Sequence, residues 1–346
     1  MYQLVKTYFR IGIFSYFQKI IVIGSENIPS KGAVMFISNH PNALLDPLLI
    51  GLTNKRYSNF LARAGVFKNK NIIAFFTMMK MLPIYRVRDG WSNLGKNKAV
   101  FEACYNLLKQ EEAIVIFAEG SHNIQKRIRP LSKGFTRILF GTLDSYPALP
   151  IQIIPVGINY TSSQNFPSKV AIHYGTPINV NDYYSKNDLK NSVDTLKSAV
   201  SDSLKKLTVH IESQEHYSLI KNNLDALHVD YLNPSKTNEL LKNISLDSLS
   251  KKQVRNPVNF LFPFYLLIIL NSIIPWLVWK KVANKIDEVA FTSTFRFAIT
   301  ITLFPVFYLF QTLAILAVFG GPWHWYYLVF CFLSCFLYVK LAPCRL

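Results

Sequence analysis

Residues 33–47 decide the fold class and read Ala-Val-Met-Phe-Ile-Ser-Asn-His-Pro-Asn-Ala-Leu-Leu-Asp-Pro. The uninterrupted apolar run at 33–38 predicts a buried strand. Similar runs at the other predicted strands cover 113–117, 151–158 and 169–174. Helical patterns between and after them cover 59–81, 93–110 and 189–210. This alternation is typical of an α/β protein, so we predict a mixed sheet flanked by helices.

The chain is basic and apolar at the same time. Its 346 residues include 38 Lys and Arg against 20 Asp and Glu, and 50% are hydrophobic. This composition excludes a disordered chain, and the mean hydropathy of +0.19 disfavours an ordinary soluble enzyme. A net charge of +18 favours nucleic acid or anionic lipid as a partner. Because the sequence shows no aromatic stacking platform and no recognised nucleic-acid module, we expect anionic membrane lipids and no nucleic acid.

The end of the chain differs in kind from the rest. Three stretches, 257–279, 297–319 and 322–339, contain no Lys, Arg, Asp or Glu. Each approaches the roughly 20 residues that span a bilayer. Buried core helices are the alternative, which three successive runs flanked by lysines disfavour. We therefore predict a membrane region over 257–346, with a transmembrane hairpin at 297–339 that turns at Gly320-Gly321-Pro322.

The distribution of charge predicts the orientation of this membrane region. The loop at 280–296 and the tail after residue 339 are basic, which places both on the cytoplasmic side together with the basic main domain. A crossing at 257–279 would put the main domain and the loop on opposite sides. Because 257–279 also contains Pro263, Pro275 and several polar residues, we predict a broken or re-entrant segment there.

The first candidate site lies in the quoted stretch. His40 follows the predicted strand, and Asp46 comes six residues later. A carboxylate beside a histidine fixes the tautomer and stabilises the imidazolium, so the pair has the form of a general base. The alternative is structural. Pro47 disfavours helical geometry at Asp46 and suits the start of a helix, which would make Asp46 the N-cap of a helix at 47–53.

Two further blocks carry charged candidates. Residues 81–89 place Arg86 and Arg88 on one side of an extended piece, where an arginine fork suits phosphate and a solvated strand face is the alternative. Residues 114–123 run from a strand into Glu119, which can bind a polyol hydroxyl or belong to a charged turn. The basic residues that follow, with no acid among them, are Lys126, Arg127, Arg129, Lys133 and Arg137.

The fourth block is the strand at 151–158, which contains Pro155. A proline in a strand predicts an edge strand or a strand end that lines a pocket, and ordinary core is the alternative.

The order and spacing of the four blocks resemble the glycerolipid acyltransferases, a membrane-associated family that includes glycerol-3-phosphate and lysophosphatidate acyltransferases. The family's first motif is Asn-His, four spacers and Asp; its second ends in Arg; its third reads Phe-Pro-Glu-Gly-Thr-Arg-Ser; its fourth is a strand of Val-Pro-Val character. The residues that match these motifs here are His40 and Asp46, Arg86, residues 117–121, and residues 154–156, with Lys133-Gly134 matching a Lys-Gly that often follows the third motif. The resemblance covers about residues 20–210.

The chain departs from the family pattern in its first and third motifs, and in the third Ser121 replaces the threonine. Five residues separate His40 from Asp46, a spacing similar to that of fungal-type glycerol-3-phosphate acyltransferases, which also carry membrane segments after the catalytic domain. Ala118 replaces the proline of the third motif. His122 stands where the family has an arginine, so that phosphate contact would fall to one of three nearby cations, Lys126, Arg127 and Arg129.

The resemblance implies an O-acyltransferase of phospholipid biosynthesis. It would move an acyl group from acyl-CoA or acyl-carrier protein to a phosphate-bearing glycerol acceptor, with no cofactor and no metal. His40 and Asp46 would be catalytic. The implied substrate-binding residues are Arg86, Glu119, Gly120, Ser121, Lys126, Arg127, Arg129, Lys133 and Pro155. Alternatives are an acyltransferase of another lysolipid and a catalytically silent, membrane-anchored lipid-binding protein.

The domain organisation follows from these observations. Residues 1–19 form a basic, aromatic amphipathic helix, which we expect in the membrane interface, with a helix packed on the domain as the alternative. Residues 20–215 form the acyltransferase domain, and residues 216–256 a polar helical connector to the membrane region at 257–346. We predict a multi-pass membrane protein with its catalytic domain on the cytoplasmic face.

Overall fold

One mixed sheet lies at the centre of the protein in the computed structural model. The structure describes residues 2–67, 69–85, 95–244, 249–250, 252–254 and 257–345. Within these residues the sheet has eight strands: β1 (Lys19–Ile23), β2 (Ala33–Ser38), β3 (Ser58–Arg63), β4 (Met81–Ile84), β5 (Ala113–Ile116), β6 (Ile151–Tyr160), β7 (Lys169–Tyr174) and β8 (Ile178–Asn179).

The strand order is β1-β7-β6-β2-β5-β3-β4, with β8 also paired to β6. Strands β6, β2, β5, β3 and β4 run parallel to one another, β7 and β8 are antiparallel to β6, and β1 is parallel to β7. The predicted α/β fold with a mixed sheet is therefore confirmed. Because β2 and β5 are adjacent and parallel, the segments that follow them meet at one edge of the sheet.

Among the described residues, twelve α-helices accompany the sheet. They are α1 (Tyr2–Tyr16), α2 (Leu45–Thr53), α3 (Lys70–Met78), α4 (Asn97–Lys109), α5 (Gly134–Ser145), α6 (Leu189–Leu207), α7 (Tyr217–Ala226), α8 (Pro234–Lys242), α9 (Phe262–Asn271), α10 (Ile273–Ala283), α11 (Thr292–Phe319) and α12 (Trp323–Leu341).

The single helix predicted at 59–81 is wrong. The chain there forms β3, a short helical turn, α3 and β4, and the two strands pair with each other. β3 also pairs with β5, so this apolar segment fills the edge of the sheet. The local pattern favours a helix, but pairing with strands distant in sequence overrides that preference.

Both faces of the sheet are buried. Met35 and Ile37 of β2 face one apolar cluster with α4, α5 and α6, while Val34 and Phe36 face a second cluster with α1 and α2. This two-sided burial explains why β2 is a continuous apolar run. The second cluster also contains the fully buried Phe297, so the first turns of α11 belong to the core of the domain.

Helices α11 and α12 are long and apolar enough to cross a membrane. A tight turn joins them at Gly320 and Gly321, whose positive φ angles of 63° and 62° favour glycine. Both ends of this hairpin contact the domain, because α11 begins beside α2 and Gln18 donates hydrogen bonds to the carbonyls of Lys340 and Ala342. The preceding α9 and α10 meet at an angle of 99°, and counting this bent pair as one span would give three.

Helix α1 has one face packed on the protein and one exposed face. Tyr16 and the neighbouring Phe17 are buried in the second cluster, whereas Leu4, Ile11 and Phe14 are exposed. An interfacial position of this helix stays a prediction.

The edge strand predicted from Pro155 is wrong, because β6 lies inside the sheet, opposite β2 on one side. On its other side β8 pairs with β6 at Ile153 and β7 pairs from Val156 onward. Pro155 lies between these two pairings, and its carbonyl accepts a hydrogen bond from Gly175 N at 2.8 Å. A residue without an N–H fits this gap, since no strand requires the donor there.

Candidate active site

A histidine–carboxylate pair lies just beyond the end of β2. His40 Nδ1 is 2.8 Å from Asp46 Oδ2, the Asp46 carboxylate is fully buried, and the side chain of His40 is 11% exposed. The sequence pattern at 40–46 thus produces the contact on which a general base depends. Since Nδ1 faces the carboxylate, Nε2 is the ring nitrogen that can take part in proton transfer.

The structural alternative for Asp46 does not describe its position. Helix α2 begins at Leu45, so Asp46 lies in the first turn and not at the N-cap. Its side chain turns back to accept a hydrogen bond from Asn42 N at 2.7 Å as well as facing His40. Pro47 is tolerated inside the helix because N–H groups of the first turn have no partner within it.

The backbone of His40 is fixed from both sides. The side-chain amide of Asn39 bonds both backbone groups of Ile158, with Nδ2 to the carbonyl at 3.0 Å and N–H to Oδ1 at 2.8 Å. Asn123 N donates to the carbonyl of His40 at 2.9 Å. The ring of His40 stacks on Phe117, with centroids 3.8 Å apart. These contacts set both the position and the ring plane of the histidine.

Asp46 is surrounded by hydrogen-bond donors. Tyr160 Oη donates to Oδ1 at 2.7 Å, while Oδ2 accepts from Asn42 N. Burial raises the pKa of Asp46 to about 8, and the hydrogen bonds from Tyr160 and Asn42 act in the opposite direction by favouring the charged form. Tyr160 is a site residue that sequence reasoning missed, because nothing at the end of β6 indicates a partner 114 residues away.

His122 is a second imidazole at the site, and its ring lies 4.4 Å from that of His40 between centroids. Burial, with the nearby His40 acting in the same direction, lowers the pKa of His122 to about 4. Glu288 Oε2 lies 3.5 Å from His122 Nδ1 and raises that pKa in part. His122 is therefore neutral at physiological pH, unlike the arginine that occupies this position in the third motif.

Glu119 follows β5 and forms an ion pair within its own loop. Arg129 Nε donates to Glu119 Oε2 at 2.8 Å, and the Glu119 side chain is 1% exposed against 34% for Arg129. Burial raises the pKa of Glu119, while the contact with Arg129 favours its charged form. Arg129 also donates to the carbonyl of Ser121. Gly120 makes the turn with φ of 75°, in the left-handed region that glycine prefers.

The other basic candidates have different surroundings. Lys126 Nζ donates to the carbonyl of Tyr160 at 2.9 Å and lies 3.8 Å from the ring centroid of Tyr231, and burial lowers its pKa to about 7. Arg127 contacts Gln214 at the surface. Lys133 is exposed at the start of α5.

One cleft beside His40 is lined by some of the predicted substrate-binding residues. The residues along it that bear on the site are Asn39, Pro41, Glu119, Lys126, Arg127 and Tyr160. Ser121 and Lys133 lie outside this lining, and Pro155 is buried within the sheet. The prediction for Arg86 falls outside the described residues, which end at residue 85 and resume at residue 95.

The fold and the site define an α/β protein with a histidine–carboxylate pair at a strand end, as general-base enzymes have. Comparison with known proteins shows which enzymes this part of the chain is similar to. Residues 19–159 match the family model described as Acyltransferase, and this range contains both members of the pair.

Relatives of known name point the same way. The chain is 25% identical over 127 residues to glycerol-3-phosphate O-acyltransferase 1 of Saccharomyces cerevisiae, covering 35% of this chain and 17% of the relative. It is 28% identical to the chloroplastic 1-acyl-sn-glycerol-3-phosphate acyltransferase BAT2 of Brassica napus, covering 41% of this chain and 39% of the relative. The chain thus spans less than half the length of either.

Among solved structures, the lysophosphatidate acyltransferase PlsC of Thermotoga maritima aligns with a TM-score of 0.41 and 18% identity, covering 59% of this chain and 80% of that one. The family match and the named relatives support an O-acyltransferase domain over residues 19–159, similar to those of glycerolipid acyltransferases.

Proposed function

We propose that the protein is a membrane-bound enzyme that transfers a fatty acyl group from acyl-CoA or acyl-carrier protein to a hydroxyl of glycerol 3-phosphate or lysophosphatidate. The observation that carries the proposal is the buried contact of 2.8 Å between His40 Nδ1 and Asp46 Oδ2, inside the range that matches the acyltransferase family. Such a pair activates a hydroxyl group.

The chemistry is a direct transfer. Nε2 of His40 takes the proton of the acceptor hydroxyl, and the oxygen attacks the thioester carbonyl. The tetrahedral intermediate collapses by breaking the carbon–sulfur bond, and the imidazolium returns the proton to the leaving thiolate. In its ionised form, which the hydrogen bonds from Tyr160 and Asn42 favour, Asp46 accepts the Nδ1 hydrogen bond and stabilises the imidazolium. A general base contributes roughly 10² to 10⁴ in rate, so the rest comes from positioning and from stabilising the oxyanion.

The acceptor binds beside the base in this proposal. Glu119 and Arg127 share one cleft with Asn39 and Pro41, the two neighbours of His40. The Glu119 carboxylate would accept a hydrogen bond from the glycerol, and Arg127 and Arg129 would contact the phosphate together with Arg86. The named relatives act on glycerol 3-phosphate or its 1-acyl derivative, which supports an acceptor of this class.

A lysolipid without a phosphate monoester is the second candidate acceptor. The observation that favours it is His122, which is neutral, contacts Glu288 and occupies the place of the arginine in the family motif. A site with fewer free cations discriminates less strongly for a doubly charged phosphate.

In the membrane, α11 and α12 would form a transmembrane hairpin whose two ends lie on the side of the catalytic domain. Contacts at both ends support this arrangement, since Thr294 bonds the backbone at Leu44 and Gln18 bonds the carbonyl of Ala342. The bent pair of α9 and α10 would then enter and leave on the same side. The basic residues around the hairpin favour the cytoplasmic face for the domain.

Thioester release tests the proposal. Purified protein in detergent is given acyl-CoA or acyl-carrier protein thioesters with glycerol 3-phosphate, lysophosphatidate or a neutral lysolipid, and the acylated product is identified by mass spectrometry. We expect the highest turnover with a phosphate-bearing glycerol and a loss of roughly 10² to 10⁴ in His40→Ala. Selective turnover of the neutral lysolipid would favour the second acceptor. Full activity of purified His40→Ala would refute the mechanism.

A further inference from the structure

The loop that joins His40 to Asp46 is held by a segment almost 250 residues further along the chain. This segment, residues 288–296, leads into α11 and is called here the α11 N-terminal segment. Ala43 N donates to the carbonyl of Ala290 at 3.2 Å. Leu44 N donates to Thr294 Oγ1 at 3.0 Å. Two consecutive backbone donors of this loop thus bond to the α11 N-terminal segment.

Both donors lie just before the first turn of α2, where the helix itself offers them no acceptor. N–H groups at the start of a helix have no acceptor within it, and a nearby Ser, Thr, Asp or Asn side chain usually supplies one. At the start of α2, no side-chain cap comes from the flanking residue Leu44. Thr294 of α11 supplies the hydroxyl, which also lies 3.4 Å from Asn42 Oδ1 and can donate to it.

The same segment reaches the second imidazole of the site. Glu288 Oε2 lies 3.5 Å from His122 Nδ1. Phe291 meets the ring of His122 edge-on, with centroids 5.0 Å apart. His122 in turn lies against His40. The segment therefore contacts both the loop that follows His40 and the ring that lies beside it.

The segment is itself anchored to the domain. Ser293 Oγ donates to the carbonyl of Ser163 at 2.7 Å, and Arg296 donates to the carbonyl of Gln164 at 2.9 Å. Phe297, one helical turn after Ser293, is fully buried in the second apolar cluster of the sheet. A support fixed in this way can hold a loop in place, since a tightly packed core yields little.

We propose that the α11 N-terminal segment is a positioning element of the active site, which sets the geometry of the His40–Asp46 pair through Thr294 and Ala290. The loop between His40 and Asp46 has five residues, one more than the four-spacer form of the motif, and its middle residues are the ones that the segment bonds. The membrane hairpin and the catalytic domain then form one functional unit. This inference rests on the proposed acyl transfer at His40.

Substitution of Thr294 in the full-length protein tests the inference. Thr294→Val keeps the shape and removes the hydroxyl, whereas Thr294→Ser keeps the hydroxyl. The matched control is Thr302→Val, on the same helix, where the hydroxyl donates only to the carbonyl of Ala298 and the side chain is exposed. We expect Thr294→Val to lower kcat about tenfold or more with much smaller changes in KM, because small displacements of a catalytic group are costly.

Thr294→Ser and Thr302→Val should keep kcat close to that of the wild type. Equal kcat in Thr294→Val and Thr302→Val would overturn the inference, and so would a Thr294→Ser variant as impaired as Thr294→Val. A loss confined to KM would also overturn it.

Hydrogen–deuterium exchange tests the same contact without a measurement of enzyme activity. In Thr294→Val the amides of residues 42–46 should exchange faster than in the wild type, while the rest of α2 stays protected. Unchanged exchange there would refute the positioning role. If the wild type releases no thioester, the proposed function fails, yet the exchange experiment still decides whether the segment holds the loop.

Discussion

The loops after β2 and β5 are neighbours at one edge of the sheet, but they are stabilised in different ways. The loop with His40 and Asp46 is bonded by Tyr160 of β6 and by Thr294 in the first turn of α11. The loop with Glu119 is closed by Arg129, only ten residues away. The proposed base is thus fixed by distant elements, while the proposed acceptor ligand Glu119 depends on a local ion pair for which a bound phosphate can compete.

Loss of the Asp46 charge is expected to have the largest effect. In Asp46→Asn the amide donates to Nδ1 of His40, which leaves the proton on Nε2 and removes the base. We expect kcat to fall by roughly a thousandfold, within the range of general-base catalysis, with little change in KM. Thioester release by the purified variant measures this, and activity near that of the wild type would show that Asp46 has only a structural role.

The same variant gives a stability test with a defined sign. Burial raises the pKa of Asp46 from 3.8 to about 8, so the folded wild type binds more protons than the unfolded chain between these pH values. Its stability therefore falls as the pH rises through this window. Thermal unfolding of Asp46→Asn in detergent should show a smaller fall from pH 5 to pH 8, and an identical fall in both proteins would contradict the assignment.

At the second loop, Glu119→Gln should affect binding more than turnover. The amide oxygen can still accept from Arg129 Nε, but a hydrogen bond from the acceptor hydroxyl loses its charge. A loss of about 1.4 kcal/mol corresponds to a tenfold higher KM for the acceptor. Initial rates at varied acceptor and donor concentrations measure it. A change in KM for the thioester alone would place Glu119 at the other substrate.

Tyr160→Phe should have the smallest effect. The hydrogen bond from Tyr160 favours the charged form of Asp46, so its removal raises the pKa of that carboxyl further. We expect the rising limb of the kcat/KM profile to move to higher pH, with a loss of about tenfold or less near pH 7. An unchanged profile would mean that Tyr160 does not tune the pair. His173→Gln is the control, because His173 contacts the carbonyl of Leu232 and not the pair. This variant should leave the rising limb of the pH profile unchanged.

The sequence by itself determined the α/β class and the strands β2, β5, β6 and β7. It also named His40 and Asp46 as a candidate pair, with an N-cap role for Asp46 as the alternative. Each of these depends on signals within a few residues, such as an apolar run or a short loop after a strand. The same local signals gave a wrong result at 59–81, where β3 and β4 are strands because they pair with neighbours that the local pattern does not contain.

Only the tertiary structure decided what surrounds the base. Tyr160 and Thr294 lie 114 and 250 residues from the groups that they bond, and Glu288 contacts His122 from the segment that precedes α11. Nor could the sequence show that Pro155 lies inside the sheet, in a gap between two strand pairings. The physical reason is the same in each case: periodicity and spacing report which face a residue occupies, whereas a hydrogen bond depends on which distant elements fold against that face.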